Sequence, residues 1–328
     1  MYIKLNLCKG AIMKILLNCF EGEYIHYKKD YENATTDLIS QLSKDLNVEL
    51  LESFIVPNDF GKELTEFQLL NGLTVEYTND DTGRAFGKTL SYVNNGKHCI
   101  TVFIDKSILF HAFSDNSETS KLAIHLIHHE LCHVHDDIIR ARLFGVDYIM
   151  KERGDFNEVL KIHANAIWAE FIATKLSISS IYVGYDMNIG YLFQIIDLEK
   201  DKCEQYIDEY RVSNDIDTLL NRIELSSFYV LRLACIVYGN LIGISEILDE
   251  NSYEEMKKSI DDKIAETYIK DIWIELGRIL SVMNNEYPDW NGEVHIENLS
   301  KIVLMTWNEM GIFPLETEEG IYIEVPYQ

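Results

Sequence analysis

The sequence predicts an α+β fold: a small β-sheet and one long helix in the first half, then a mainly helical C-terminal region. Three observations carry this. Short β-rich runs with a hairpin turn signal cluster between residues 72 and 105. A helix with several N-cap residues and five histidines follows at once. Beyond residue 180 nearly every segment has helical periodicity. The expected organisation is an N-terminal strand and helix segment over 1–60, a core over 61–180 and a helical region over 181–328.

The chain has 328 residues, 47% hydrophobic and 25% charged, which is enough to bury a sizeable core. Only four prolines and no low-complexity tract argue against long disordered linkers. The net charge of −25 disfavours nucleic acid and anionic membrane surfaces as partners. Six cysteines without CxxC pairing read as reduced, mostly buried thiols, and the expected location is cytoplasmic.

The elements follow in order. The N-terminal run is interrupted by Lys4, Lys9 and Lys14, so it is expected to be a strand or a start-site extension, with Met13 an alternative start. A helix is expected within 34–54. Strands are expected at 72–77, 88–93 and 99–105, the last two joined through the Asn95-Gly96 turn signal. Residues 106–113 fit neither period, and 114–121 supply N-cap candidates. Helices are then expected at 157–177, 191–211, 215–239, 254–283 and 295–310, with a short strand at 320–327. The apolar run Phe228 to Ile244 contains Arg232 and Asn240. A mid-span Arg costs about 2.5–3.5 kcal/mol on insertion scales, so this run is expected to be a buried core helix and not a membrane span.

The histidine-rich helix carries the chemistry. Five of the ten histidines lie between His125 and His135, and His129-Glu130-Leu131-Cys132-His133 is an H-E-x-x-H motif. Residues four apart share a helix face, so both imidazoles can meet one metal ion, with zinc the expected ion. Glu130 then stands beside the open coordination position, where a carboxylate can act as general base toward a metal-activated water. Ile124, Ile127, Leu131, Val134 and Ile138 form an apolar stripe roughly opposite that face. His128 and His135 fall near this stripe and are expected to be structural, and His125 to line the cleft or be solvated. Asp136 and Asp137 are placed either to accept a ligand's second N–H or to form a charged helix end. Cys132 lies off the metal face and is expected to be a packing residue.

Two histidines need a third protein ligand. The helix at 157–177 offers Glu170, flanked by Ala166 and Ala173 on its face, and His163 as the other choice. Glu170 is the expected ligand, because its neighbours Ala169, Phe171, Ile172 and Ala173 make a poor solvated face.

H-E-x-x-H followed on the next helix by a Glu in an E-x-x-A setting resembles the gluzincin branch of zinc metallopeptidases. The order of hairpin, "HHELCH" helix and "WAEFIA" is similar to the ImmA/IrrE-type peptidase domain over about residues 70 to 180. The resemblance implies a zincin-like catalytic core, Zn2+ held by His129, His133 and Glu170, and Glu130 as general base. It further implies a polypeptide substrate paired by β-augmentation with the strand at 99–105. Cys132 departs from the glycine common in that family, no N-terminal helix-turn-helix is visible, and 181–328 lies outside the resemblance. The third histidine of metzincins and the PCxxC partner of nucleobase deaminases are both missing. The expected activity is zinc-dependent peptide hydrolysis; the alternative is a non-proteolytic binding or regulatory protein on the same scaffold.

Overall fold

A computed structural model describes residues 13–75, 79–80, 83–149, 154–181, 187–317 and 320–326. The chain is α+β and 68% helical, with a small mixed sheet, small antiparallel pairs and a mainly helical C-terminal part. Two compact units are distinguished: one takes residues 1–150 and 179–185, the other 151–178 and 186–328.

The first unit is built on a sheet. Its elements are β1 (Lys14–Leu17), α1 (Lys28–Leu42), β2 (Leu51–Val56), α2 (Phe60–Leu70), β3 (Asn79–Asp80), β4 (Gly83–Arg84), β5 (Gly87–Asn94), β6 (Lys97–Ile104), α3 (Lys106–Ala112), α4 (Ser117–Phe144) and α5 (Val146–Ile149). The main sheet has the order β1-β2-β6-β5. β1, β2 and β6 are parallel, and β5 returns antiparallel to β6. The hairpin closes at Asn95 and Gly96, both at positive φ, the backbone of a two-residue type I′ turn. One face of the sheet packs Phe54, Val56, Ile100, Val102 and Ile104 against Ile127, Leu131, Val134 and Ile138 of α4. The other face packs Ile55, Leu90 and Phe103 against Phe60 and Leu64 of α2.

Several expectations are corrected here. The segment 34–54 is not one helix: α1 ends at Leu42 and Leu51–Val56 is a strand covered on both faces, where apolar residues run on without alternation. Residues 72–75 form no strand, and 76–77 lie outside the described residues. Residues 106–112 are a short helix, started by Asp105, whose carboxylate accepts from Ser107 N at 2.9 Å. The strand expected to receive a peptide, β6, has no open edge, because β2 and β5 occupy both its sides; the end strands are β1 and β5.

The second unit comprises α6 (Phe156–Leu176), α7 (Ile189–Ser213), α8 (Ile216–Ile244), α9 (Glu250–Ile264), α10 (Lys270–Glu286), α11 (Val294–Glu309) and a terminal hairpin of β7 (Phe313–Thr317) and β8 (Gly320–Glu324). The single helix expected at 254–283 is broken between Ile264 and Lys270. α6 and α8 run side by side in one direction: His163 meets Phe228, Glu170 meets Arg232, and Thr174 meets Gly239. A Cβ at Gly239 would stand 2.6 Å from the Phe171 carbonyl oxygen, so only glycine permits this approach. By length and composition α8 could cross a bilayer, but 67% of its most apolar window is buried.

Candidate metal centre

α4 begins where the sequence supplies a cap: the Asn116 side chain accepts from the backbone N–H of Glu118 and Thr119, both at 3.2 Å. Burial of Ile127, Leu131, Val134 and Ile138 on the sheet fixes the helix's rotation and leaves His129 and His133 half-buried on another face. Their Nε2 atoms approach to 3.1 Å with the rings nearly perpendicular, at 87°. Two imidazoles on one tetrahedral zinc, each about 2.0–2.1 Å away, hold their nitrogens about 3.3 Å apart. The pair is therefore spaced as a chelating pair.

Glu130 is seated against the end strand β5. The Thr89 hydroxyl donates to Glu130 Oε2 at 2.7 Å and lies 3.1 Å from the Glu130 carbonyl oxygen. Gly87 supplies the room, since a Cβ there would fall 2.5 Å from Oε1 and 2.7 Å from Cγ. One bond and one missing side chain thus orient the carboxylate.

Glu170 lies on α6, whose first turn is capped by Asp155 accepting from Glu158 N at 3.0 Å. Its neighbours Trp168, Phe171, Ile172 and Ala173 are buried. Arg232 of α8 donates from Nε to Glu170 Oε1 at 2.9 Å. Burial, then the Glu170 charge, hold the nearby Cys235 thiol well above its ordinary range. The first unit thus offers the His129 and His133 imidazoles and the second the Glu170 carboxylate, residue types that could hold a metal ion. Two imidazoles and a carboxylate match the donor chemistry of catalytic zinc.

The remaining histidines have other partners. His125 Nδ1 and His128 Nδ1 each stand 2.9 Å from Ser180 Oγ, and both rings are buried. A hydroxyl can donate to one ring and accept from the other. His135 Nδ1 accepts from the Asn47 backbone N–H at 2.7 Å, and burial pushes its pKa down. His163, the other choice of ligand, is buried against Phe228; its ring nitrogens have no hydrogen-bond partner among the described residues, and burial lowers its pKa to about 3. Asp136 and Asp137 bind Arg140, and Asp137 also accepts from Ser91 Oγ at 2.6 Å. Cys132 is fully buried, and burial pushes its thiol far up, as befits a packing residue.

Gly87, Thr89, Ser180 and Arg232 were not legible as site residues. Thr89 and Gly87 sit some forty residues before Glu130 with no motif linking them. Arg232 had a signal: a charge inside an apolar helix needs a partner.

No family model matches the chain, and no curated protein or solved structure matches it.

Proposed function

We propose that the chain is a zinc-dependent peptide hydrolase of the gluzincin type, with a zincin-like core. His129, His133 and Glu170 hold the ion, and Glu130 is the general base. The observation that carries this reading is the H-E-x-x-H pair itself: the His129 and His133 Nε2 atoms stand 3.1 Å apart on one helix, and the intervening Glu130 is held by the Thr89 hydroxyl. Bound zinc would supply a Lewis acid and bring the pKa of water to about 7. Glu130 takes a proton from water and returns it to the leaving amine, a role that needs a fixed carboxylate; Thr89 and Gly87 provide it. Arg232 holds Glu170 by one oxygen and balances its charge, the outer support that orients a ligating carboxylate. The substrate is an extended polypeptide that pairs with β5, the end strand beside Glu130.

The test is zinc content and hydrolysis of an unstructured protein, measured on wild type, Glu130→Gln and Glu170→Ala. We expect about one zinc in wild type, retained in Glu130→Gln and lost in Glu170→Ala, with hydrolysis absent from both variants. Wild type without zinc after chelator-free purification overturns the metal reading. Zinc bound without hydrolysis selects a non-proteolytic binding or regulatory protein instead.

A further inference from the structure

The second unit holds a cleft that the metal chemistry does not use. It opens among the C-terminal end of α8, α9 and α10, with a volume of about 500 Å³, within the roughly 300–1,000 Å³ range of small-molecule sites. Its wall is tied in place by bonds across the three helices. Tyr238 stacks on Trp273, ring centroids 4.0 Å apart at 27°, and its hydroxyl donates to the Trp273 carbonyl at 2.8 Å. Trp273 Nε1 donates to Asp261 Oδ1 at 2.8 Å, and Lys257 Nζ to Asp261 Oδ2 at 2.7 Å. Tyr238, Trp273, Asp261 and Lys257 thus spend polar atoms on one another, and Leu241, Ile242, Ile264 and Ala265 add apolar lining. Ile274, at the mouth, is 61% exposed.

Charge identifies the occupant. Across residues 151–178 and 186–328 the sequence has 33 Asp and Glu against 15 Lys and Arg. The cleft reverses that balance: Lys257, Lys270 and Arg278 line it, against the single acid Asp261. Lys257 is spent on Asp261 and Arg278 pairs with Glu275. Lys270 makes no ion pair among the described residues and is exposed at the rim. An apolar slot with an uncommitted ammonium at its edge, in an otherwise acidic unit, selects for an apolar body bearing one negative group and repels more highly charged anions.

We propose that this cleft binds a small amphipathic acid, with its anionic group at Lys270 and its apolar body between Ile274 and the Tyr238–Trp273 stack. The full chain is titrated with 1-anilinonaphthalene-8-sulfonate and with its uncharged parent, N-phenyl-1-naphthylamine, followed by fluorescence. Expected is saturable binding of one sulfonate probe per chain, at least tenfold tighter than the neutral one. Lys270→Glu should weaken the sulfonate probe tenfold or more and leave the neutral probe unchanged. Ile274→Glu should weaken both. These side chains are exposed, and far-UV circular dichroism checks that each variant is folded; Lys270→Gln serves as the milder form of the first. Equal affinity for the two probes, sulfonate binding indifferent to Lys270 and Ile274, or no saturable binding to the wild-type chain each overturns the proposal.

Discussion

One helix carries two pairs of histidines, and they do different things. His125 and His128 are buried and turn Nδ1 toward the Ser180 hydroxyl. His129 and His133 are half-buried and turn Nε2 toward each other. At about 100° per residue the second pair lies about 90° around α4 from the first, off its buried side. Histidine number therefore says little about metal binding. What separates the proposed ligand pair from the structural pair is which nitrogen is offered and whether a hydroxyl has already taken it.

The sharpest way to break this contrast is to remove a member of each pair's partnership and read zinc affinity. His133→Ala should cost more than about 100-fold, beyond the 10–100-fold typical of losing an outer hydrogen bond. Equal loss on removing His128 would erase the distinction. Arg232→Leu comes next: the Glu170 carboxylate loses its orienting donor, and zinc affinity should fall about 10-fold to 100-fold with the ligand itself intact. Arg232→Lys should recover part of that, because it restores charge without the planar fork. Ser180→Ala should leave zinc affinity within about twofold, yet cost about 1–3 kcal/mol in urea unfolding, as two buried ring nitrogens lose their common partner. A change in zinc stoichiometry there would mean the two pairs are one site.

A separate test, outside the zinc comparison, concerns His163, a buried histidine outside both pairs. Its folded pKa of about 3 lies below the roughly 6.5 of an unfolded chain. The unfolded state thus takes up a proton that the folded state refuses, so this stabilisation is complete above about pH 6.5 and drains away as pH falls toward 3. In His163→Phe the urea midpoint should drop less between pH 7 and pH 4 than in wild type. An identical slope would show that His163 is protonated in the folded chain.

The hairpin of β5 and β6 was legible because Asn95-Gly96 dictates its turn, and α4 because its cap and apolar stripe agree with each other. β2 was not legible. A parallel strand buried on both faces loses alternation, so Leu51–Val56 read as the tail of a helix. The break between α9 and α10 was hidden for the opposite reason: no glycine or proline marks residues 265–269. Of the proposed centre, His129 and His133 were picked out by motif spacing and Glu170 by its small and apolar neighbours on the next helix. Thr89 and Arg232, which hold Glu130 and Glu170, were not, because they reach these partners through tertiary contacts across 41 and 62 residues of chain.

Gly87 has neither a functional group nor a charge, yet its Cα marks the floor of the seat in which Glu130 rests. In a saturation mutagenesis screen scored for activity, position 87 should tolerate almost no replacement and so rank beside Glu130. Its neighbour Lys88, pointing to the other face of the strand, should accept many. A map of tolerance along β5 would therefore trace the outline of the carboxylate from the strand's side.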